Sequence, residues 1–179
     1  PRLLSPSLAF SQVELLEESA AFLETARAQL PAARVRAFHA SSLQGFAPPA
    51  HVRYAAVWVQ WVLIYLTDTD LVAFLSRCAA ALVAPHGRIV VKESVSKEEH
   101  GFFVDRSDAS ITRTDAHHRR LFAAAGLAVA HSEAQPGLPH GVFAVRMYVL
   151  RPVEAPSADG AEAQGHASSD RETRARWAE

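Results

Sequence analysis

The sequence predicts an α/β fold, a three-layer sandwich with helices on both sides of a sheet. Short apolar runs typical of buried strands alternate with amphipathic helical segments between residues 13 and 125, as expected where helices connect neighbouring strands. Residues 127–133 and 142–150 then alternate like two strands joined by a Pro136-Gly137-Leu138-Pro139 turn. This last pattern indicates an antiparallel hairpin that closes the sheet.

Composition limits the class of protein. The 179 residues are 49% hydrophobic and carry a net charge of −1, which suits one soluble domain and gives no sign of nucleic-acid or membrane-surface binding. A single cysteine, Cys78, fits a reducing compartment, so we expect the cytoplasm or nucleus. Residues 152–179 contain little that could be buried and are expected to form a disordered tail after a domain at 1–151. Because the chain starts with Pro1, we interpret it as a fragment.

The first third of the chain predicts a strand, a helix and a second strand. Residues 2–4 and 8–10 suit the end of a helix broken at Pro6. Residues 13–16 are apolar and are followed by acid, as in a buried strand. A helix is expected from Ser19 to Pro31, with a buried side formed by Phe22, Leu23, Ala26 and Leu30. Residues 35–39 predict the next strand.

The central strand is the most apolar part of the chain. Residues 54–59 suit a strand buried on both faces, and Gln60 interrupts the run. A buried amide needs partners, so Gln60 either satisfies neighbouring backbone or faces a ligand at the carboxyl end of the strand.

The remaining elements follow from capping and periodicity. Thr67 or Thr69 can cap a helix with Asp68 and Asp70 in its first turn. Residues 88–92 predict a buried strand, residues 94–113 a long functional loop, and residues 114–125 a helix. The helix capped by Thr67 or Thr69 is expected to bury one stripe of residues, Leu71, Phe74, Leu75, Cys78 and Leu82.

One family resemblance joins these segments. Trp58-Val59-Gln60-Trp61, followed by Tyr65-Leu66-Thr67-Asp68, resembles the fourth-strand signature of the protein alpha N-terminal methyltransferases, which use S-adenosylmethionine. The similarity extends over residues 2–151. Further matching blocks are Val13-Glu14-Leu15-Leu16-Glu17, Ser42-Leu43-Gln44, Val90-Val91-Lys92-Glu93, Val104-Asp105, Asp108 and Ser110-Ile111-Thr112-Arg113.

The resemblance implies a seven-stranded, Rossmann-like class I methyltransferase fold with strand order 3-2-1-4-5-7-6. The first strand and the glycine-rich cofactor turn are then expected upstream of Arg2, outside this sequence. Two strand edges would lack ladder partners, and each orphaned buried group costs about 1–3 kcal/mol. We therefore assign the function to the parent protein and expect the fragment alone to bind cofactor weakly.

The resemblance also implies where the cofactor, S-adenosylmethionine, binds. Glu17 matches the acid that accepts hydrogen bonds from the ribose, although it also suits the first turn of a helix. Glu18 and Ser19 follow in the same turn. Leu43 and Gln44 match the loop beside the adenine, and Gln60 matches a cofactor contact at the end of the central strand.

The implied substrates are proteins that begin with a small residue followed by Pro-Lys. Trp61 matches the wall of the peptide channel, and Asp105 and Asp108 match carboxylates that surround the incoming amine and pair with the lysine, with Ser110 beside them. Without the resemblance, Asp105 and Asp108 are better explained as part of a solvated loop, and the resemblance favours the site.

The chain departs from the family at three positions. Tyr65 replaces the histidine of most animal members, Ser94 replaces an asparagine, and Ala55 replaces an aspartate. The Tyr65 hydroxyl can still donate or accept a proton, and Ser94 leaves room for a water beside the amine. Both residues therefore remain candidates for the catalytic site.

The other polar features of the sequence do not indicate a further functional site. His117-His118-Arg119-Arg120 predicts a solvated helix face, since adjacent helical residues point in different directions, and no metal site is expected. The leading hypothesis is an S-adenosylmethionine-dependent N-terminal methyltransferase. A catalytically silent adaptor that binds N-terminal peptides and a small-molecule methyltransferase are the alternatives.

Overall fold

The computed structural model describes residues 10–153. The tail predicted from residue 152 and the helical segment predicted for residues 2–10 therefore lie almost entirely outside the described residues. Three helices are present: α1 (Ala20–Gln29), α2 (Asp68–Ala80) and α3 (Asp115–Ala124). The strands are β1 (Val13–Glu17), β2 (Val35–Ala40), β3 (Ala56–Gln60), β4 (Arg88–Val95), β5 (Phe102–Asp105), β6 (Ser110–Arg113), β7 (Leu127–Ala134) and β8 (Ala144–Pro152).

Among residues 10–153 the strands form a two-stranded sheet, a four-stranded sheet and a two-stranded hairpin. β1 pairs in parallel with β2, and a second sheet has the order β3-β4-β8-β7. In that sheet β3 and β4 are parallel, whereas β8 runs antiparallel to both β4 and β7, which confirms the α/β class and the predicted closing hairpin. Within residues 10–153, β1 and β3 each pair along one edge only. The Tyr54 hydroxyl connects the two sheets by donating to Glu14 Oε2 at 2.5 Å.

One apolar core lies between α2, α3 and the four-stranded sheet. Cys78 lies in the buried stripe of α2, as predicted, and is 2% exposed. Burying each large apolar side chain contributes about 1.5–3 kcal/mol, so this core holds most of the domain together. No helix among the described residues is long and apolar enough to cross a bilayer. The largest buried apolar side chains are Tyr148, Phe122, Leu63, Leu71, Leu75, Ile89, Leu127 and Leu150.

Each helix begins at a side-chain cap. Ser19 caps α1 by accepting from Phe22 N, and Thr114 caps α3 by accepting from His117 N. Thr67, rather than the alternative Thr69, caps α2, because its hydroxyl oxygen accepts from Asp70 N at 3.2 Å. These bonds satisfy backbone donors that the first helical turn leaves without partners.

The prediction that the central strand is buried on both faces is wrong. Only Val59 of β3 is fully buried, and Trp58 is 44% exposed. The reason is the position of β3 at one end of its sheet, where it covers the core with one face and pairs in parallel with β4 alone.

The stretch predicted as a long loop contains two strands. β4 continues to Val95, and β5 pairs with β6 in an antiparallel hairpin with Phe103 opposite Thr112. Apolar residues in β5 and β-branched residues in β6 favour this pairing. The hairpin fixes residues that a loop would leave mobile.

Three side chains differ in burial from the prediction, and two of them are histidines of α3. His118 is fully buried and contacts Phe122, four residues later on the same helix, and Tyr148 of β8. His117 is 9% exposed and bonds to Asp68 through Nε2.

The third is Phe22, which was predicted to be buried and is 68% exposed. Among residues 10–153, α1 packs on the small β1–β2 sheet, and Leu23 is its buried residue.

Candidate functional site

The carboxyl end of β1 carries an acidic side chain beside the loop that follows β2. Glu17 ends the strand, and its Oε1 accepts from Ser19 N at 2.8 Å. Ser41 N donates to the backbone oxygen of Glu17 at 3.3 Å, which brings the loop after β2 to this position. Glu17 is half-buried and Glu18 is exposed. The structure thus places Glu17 and Ser19 together at the edge where α/β proteins bind ligands.

The loop that contains Leu43 and Gln44 is held by an arginine of α2. Arg77 donates to the backbone oxygens of Leu43, Gln44 and Phe46 at 2.9, 3.0 and 2.8 Å. Leu43 packs against the core and Gln44 is exposed. Arg77 therefore fixes the backbone of the segment predicted to lie beside the adenine, a role that the sequence pattern did not indicate.

Gln60, at the end of β3, bonds to a neighbouring side chain rather than to neighbouring backbone. Its Oε1 accepts from the Trp58 indole Nε1 at 3.1 Å. Both side chains lie on the same face of the strand, because residues two apart project to the same side. The amide is half-buried rather than enclosed, and so its contact with a ligand stays a prediction.

Two exposed aromatic residues follow β3 in a tight turn, residues 61–66, which we call the 61–66 turn. Trp61 is 46% exposed and Tyr65 is 55% exposed. Trp61 has φ of +52°, a left-handed conformation that is unfavourable for a bulky residue. Lys92 Nζ lies 5.1 Å from the centre of the Trp61 ring, within cation–π distance. The turn therefore presents an indole and a phenol at the carboxyl end of the strand.

The predicted carboxylates lie at the tip of the β5–β6 hairpin. Asp105 Oδ1 accepts from both the N–H and the hydroxyl of Ser107, and these bonds lower the pKa of Asp105. Asp108 Oδ1 accepts from Ser110 N at 3.0 Å. Asp108 is exposed, whereas Ser110 is 6% exposed. The hairpin thus presents acidic groups at a defined tip, while Ser94 lies half-buried on β4 opposite Val145.

An ionic cluster, in which Arg113 is buried and Asp68 is exposed, joins this hairpin to the 61–66 turn. Arg113, the last residue of β6, is fully buried and donates to Asp68 and to the backbone oxygens of Leu63 and Leu66. Burial favours a higher pKa for Asp68, but the hydrogen bonds from Arg113 and His117 outweigh it and lower that pKa. The structure therefore places the element carrying Asp105, Asp108 and Ser110 next to the element carrying Trp61 and Tyr65.

Sequence reasoning missed an apolar surface beside these acids. Phe103 of β5 contacts Phe143, with ring centres 5.6 Å apart, and both are more than one-third exposed. A groove of about 540 Å³ lies next to Phe143, between the end of β4 and the connection from β7 to β8. The feature of the sequence that could have indicated this surface is the presence of apolar residues within the charged segment 94–113. The groove is lined by Val95, Ser96, Lys97, Glu98, Gln135, Leu138, Val142, Phe143 and Ala144.

Comparisons with known proteins agree with the motifs in the sequence. A family model described as AdoMet-dependent proline di-methyltransferase matches residues 2–151. Alpha N-terminal protein methyltransferase 1 of Arabidopsis thaliana is 42% identical over 146 residues, 79% of this chain and 51% of that protein. The human N-terminal Xaa-Pro-Lys N-methyltransferase 1 is 36% identical over 152 residues, 84% of this chain and 66% of the human protein.

Solved structures give the same result for the fold. A SAM-dependent methyltransferase from Leishmania major is 37% identical and superposes with a TM-score of 0.72, covering 79% of this chain and 55% of that one. CalO1, a methyltransferase in calicheamicin biosynthesis, is 23% identical with a TM-score of 0.59, and covers 79% of this chain and 42% of CalO1. At that identity CalO1 supports the class I methyltransferase fold alone.

The chain spans between about half and two-thirds of the length of these curated relatives. The family model spans residues 2–151, which include every strand and helix of the described residues up to Arg151 of β8. The predicted family is therefore confirmed, and the chain belongs to the family of AdoMet-dependent proline di-methyltransferases.

Proposed function

We propose that the protein transfers methyl groups from S-adenosylmethionine to the α-amino group of proteins that begin with X-Pro-Lys. The names of the relatives support this reaction. The observation that carries it is the link made by Arg113, which joins the acidic β5–β6 hairpin to the turn bearing Trp61 and Tyr65. An amine entering between these elements meets carboxylates on one side and aromatic rings on the other.

The residues at the strand ends fit the chemistry of the cofactor. Glu17 offers a carboxylate that can accept from two ribose hydroxyls, and Leu43 offers an apolar side chain beside a backbone fixed by Arg77. Gln60 offers an amide at the end of β3. S-adenosylmethionine supplies an electrophilic methyl group when it is bound at such a site.

The remaining side chains bind the substrate amine and accept its proton. A free α-amino group has a pKa of about 7.7–8.0, so much of it must lose a proton before it can attack. Asp105 and Asp108 attract the ammonium and the lysine of the substrate, and the Tyr65 hydroxyl or a water beside Ser94 can accept the proton. Trp61 walls the channel and excludes water. We also propose that the protein acts in the cytoplasm or nucleus, on the basis of its single cysteine.

We test the proposal with the parent protein, S-adenosylmethionine and a peptide that begins Ser-Pro-Lys, measuring methylation by mass spectrometry. We expect mass increases of whole methyl groups on the α-amine. The same peptide with an acetylated N-terminus is the control, because it has no amine to react. Absence of transfer while calorimetry shows bound S-adenosylmethionine would contradict the reaction and favour a peptide-binding adaptor.

Replacing both hairpin acids, Asp105→Asn with Asp108→Asn, is expected to raise the KM for the Ser-Pro-Lys peptide about tenfold. An exposed charge pair is weak in water, so both acids are replaced together to give a measurable loss of binding. Steady-state kinetics measures the effect, and Glu24→Gln, an exposed acid on α1, is the matched control. An unchanged KM would instead favour a small-molecule substrate.

Replacing the arginine of α2, Arg77→Ala, is expected to weaken S-adenosylmethionine binding about tenfold. The change removes three hydrogen bonds to the loop backbone, each worth about 0.5–1.5 kcal/mol, part of which the exposed loop regains from water. Calorimetric titration measures the dissociation constant. Arg88→Ala is the matched control, because Arg88 also binds two backbone oxygens, those of Pro85 and Gly87, at the start of β4.

A further inference from the structure

The first backbone groups of the 61–66 turn are all held from β4. Trp61 N donates to the backbone oxygen of Lys92 at 3.1 Å. Val62 N and Leu63 N both donate to Glu93 Oε1, at 3.0 and 2.9 Å. Glu93 is fully buried, so a single carboxylate oxygen inside the protein binds two consecutive donors of the turn. Hydrogen bonds to an ionised carboxylate are about twice as strong as those to a neutral acceptor.

The end of the same turn is held from β6. Arg113 Nη1 donates to Leu63 O at 3.1 Å, and Nη2 donates to Leu66 O at 2.6 Å. Its Nε donates to Asp68 Oδ1 at 2.8 Å, so the guanidinium is also fixed by the first residue of α2. Arg113 is fully buried. The Glu93 carboxyl group therefore accepts from two N–H groups of the turn, and the Arg113 guanidinium donates to two of its backbone oxygens.

This double attachment explains an unusual backbone conformation. A non-glycine residue in the left-handed region costs about 1–2 kcal/mol, and such a conformation persists only where its surroundings determine it. Trp61 has φ of +52° although its own side chain is 46% exposed and cannot anchor it by burial. The hydrogen bonds from Glu93 and Arg113 therefore hold the turn from beneath.

We propose that Glu93 and Arg113 are positioning residues that fix the 61–66 turn, so that Trp61 and Tyr65 are oriented before the peptide arrives. Neither side chain reaches solvent, and both act through the turn. The consequence for activity rests on the proposed function, because it concerns capture of the peptide N-terminus. Preorganisation of this kind lowers the entropy lost on binding.

Fluorine NMR of the full chain labelled with 5-fluorotryptophan tests this arrangement without any substrate. The Trp61 resonance is assigned with Trp61→Phe. We expect Glu93→Leu, and likewise Arg113→Lys, to shift and broaden that resonance, since leucine accepts no hydrogen bond and one ammonium cannot replace a three-pronged guanidinium. Glu93→Gln keeps an oxygen at the same place and is expected to restore most of the wild-type signal.

Kinetics with the Ser-Pro-Lys peptide follow on the same variants of the parent protein. We expect the peptide KM to rise about tenfold in Glu93→Leu and Arg113→Lys, with S-adenosylmethionine affinity changed less than twofold and with recovery in Glu93→Gln. Arg88→Lys is the matched control, because Arg88 binds backbone oxygens at the opposite end of β4. Circular dichroism identifies any variant that fails to fold, in which case the Glu93→Gln and Glu93→Leu comparison decides.

Two results would overturn the inference. One is an unchanged Trp61 resonance in folded Glu93→Leu and Arg113→Lys; the other is an equal change in Arg88→Lys. If the wild-type parent protein transfers no methyl group, the proposed function fails, but the Trp61 resonance still decides whether Glu93 and Arg113 fix the turn.

Discussion

Replacing His118 with leucine is expected to stabilise the chain, and to do so more strongly as the pH falls. His118 is fully buried, and neither of its ring nitrogens has a hydrogen-bond partner among the described residues. A buried polar group without a partner costs about 1–3 kcal/mol. Leucine removes that cost and fits the apolar surroundings formed by Phe122 and Tyr148.

The pH dependence has a definite sign. Burial, reinforced by the nearby charge of Arg113, lowers the pKa of His118 from 6.5 to about 3 in the folded chain. Between these values the unfolded chain binds a proton that the folded chain does not, so the wild type loses stability as the pH falls. Each pH unit in this window is worth about 1.4 kcal/mol. The advantage of His118→Leu should therefore grow by about 2 kcal/mol between pH 6.5 and pH 5.

Urea unfolding of both proteins at several pH values measures the difference. Groups other than His118 contribute equally to both chains, so their titration cancels when the two free energies of unfolding are subtracted. His86→Leu, at an exposed position in the turn before β4, is the control for the loss of a histidine. A His118→Leu advantage that is constant from pH 7 to pH 5 would contradict the assigned protonation.

Much of the fold could be predicted because its strands are separated by clear helix signals. Thr67 and Thr114 mark helix starts, and the apolar stripe through Leu71 and Cys78 marks a buried face. The β5–β6 hairpin could not be predicted in the same way. Its stability comes from pairing between strands, such as Phe103 opposite Thr112, and that pairing leaves no periodic pattern in a short charged segment.

In the candidate site, too, some residues could be predicted from the sequence and others could not. Glu17 and Gln60 could be placed because they follow strands, and the ends of strands are where α/β folds bind ligands. Glu93 and Arg113 were not assigned any role, since a charged residue in a short apolar segment is usually exposed. Their partners, Val62, Leu63 and Leu66, are distant in sequence, so only the three-dimensional arrangement shows that the charges are buried.

Replacing Glu93 with glutamine is expected to change stability with the opposite pH dependence. Burial raises the pKa of Glu93 from 4.5 to about 7, and the N–H groups of Leu63 and Val62 and the charge of Arg113 offset only part of that rise. Between these two values the folded chain keeps a proton that the unfolded chain has released. The wild type therefore loses stability as the pH rises through this window, by about 3 kcal/mol in total.

Glutamine cannot titrate, so the free energy of unfolding of Glu93→Gln minus that of the wild type should increase by about 3 kcal/mol from pH 4.5 to pH 8. Urea unfolding at matched pH values measures it, with Glu24→Gln, an exposed acid on α1, as the control. A difference that stays flat over this range would mean that Glu93 is ionised throughout and that Arg113 compensates its burial fully. A difference that rises as expected means that the carboxyl group beneath the 61–66 turn changes charge near neutral pH, where hydrogen bonds to Val62 and Leu63 become stronger on ionisation.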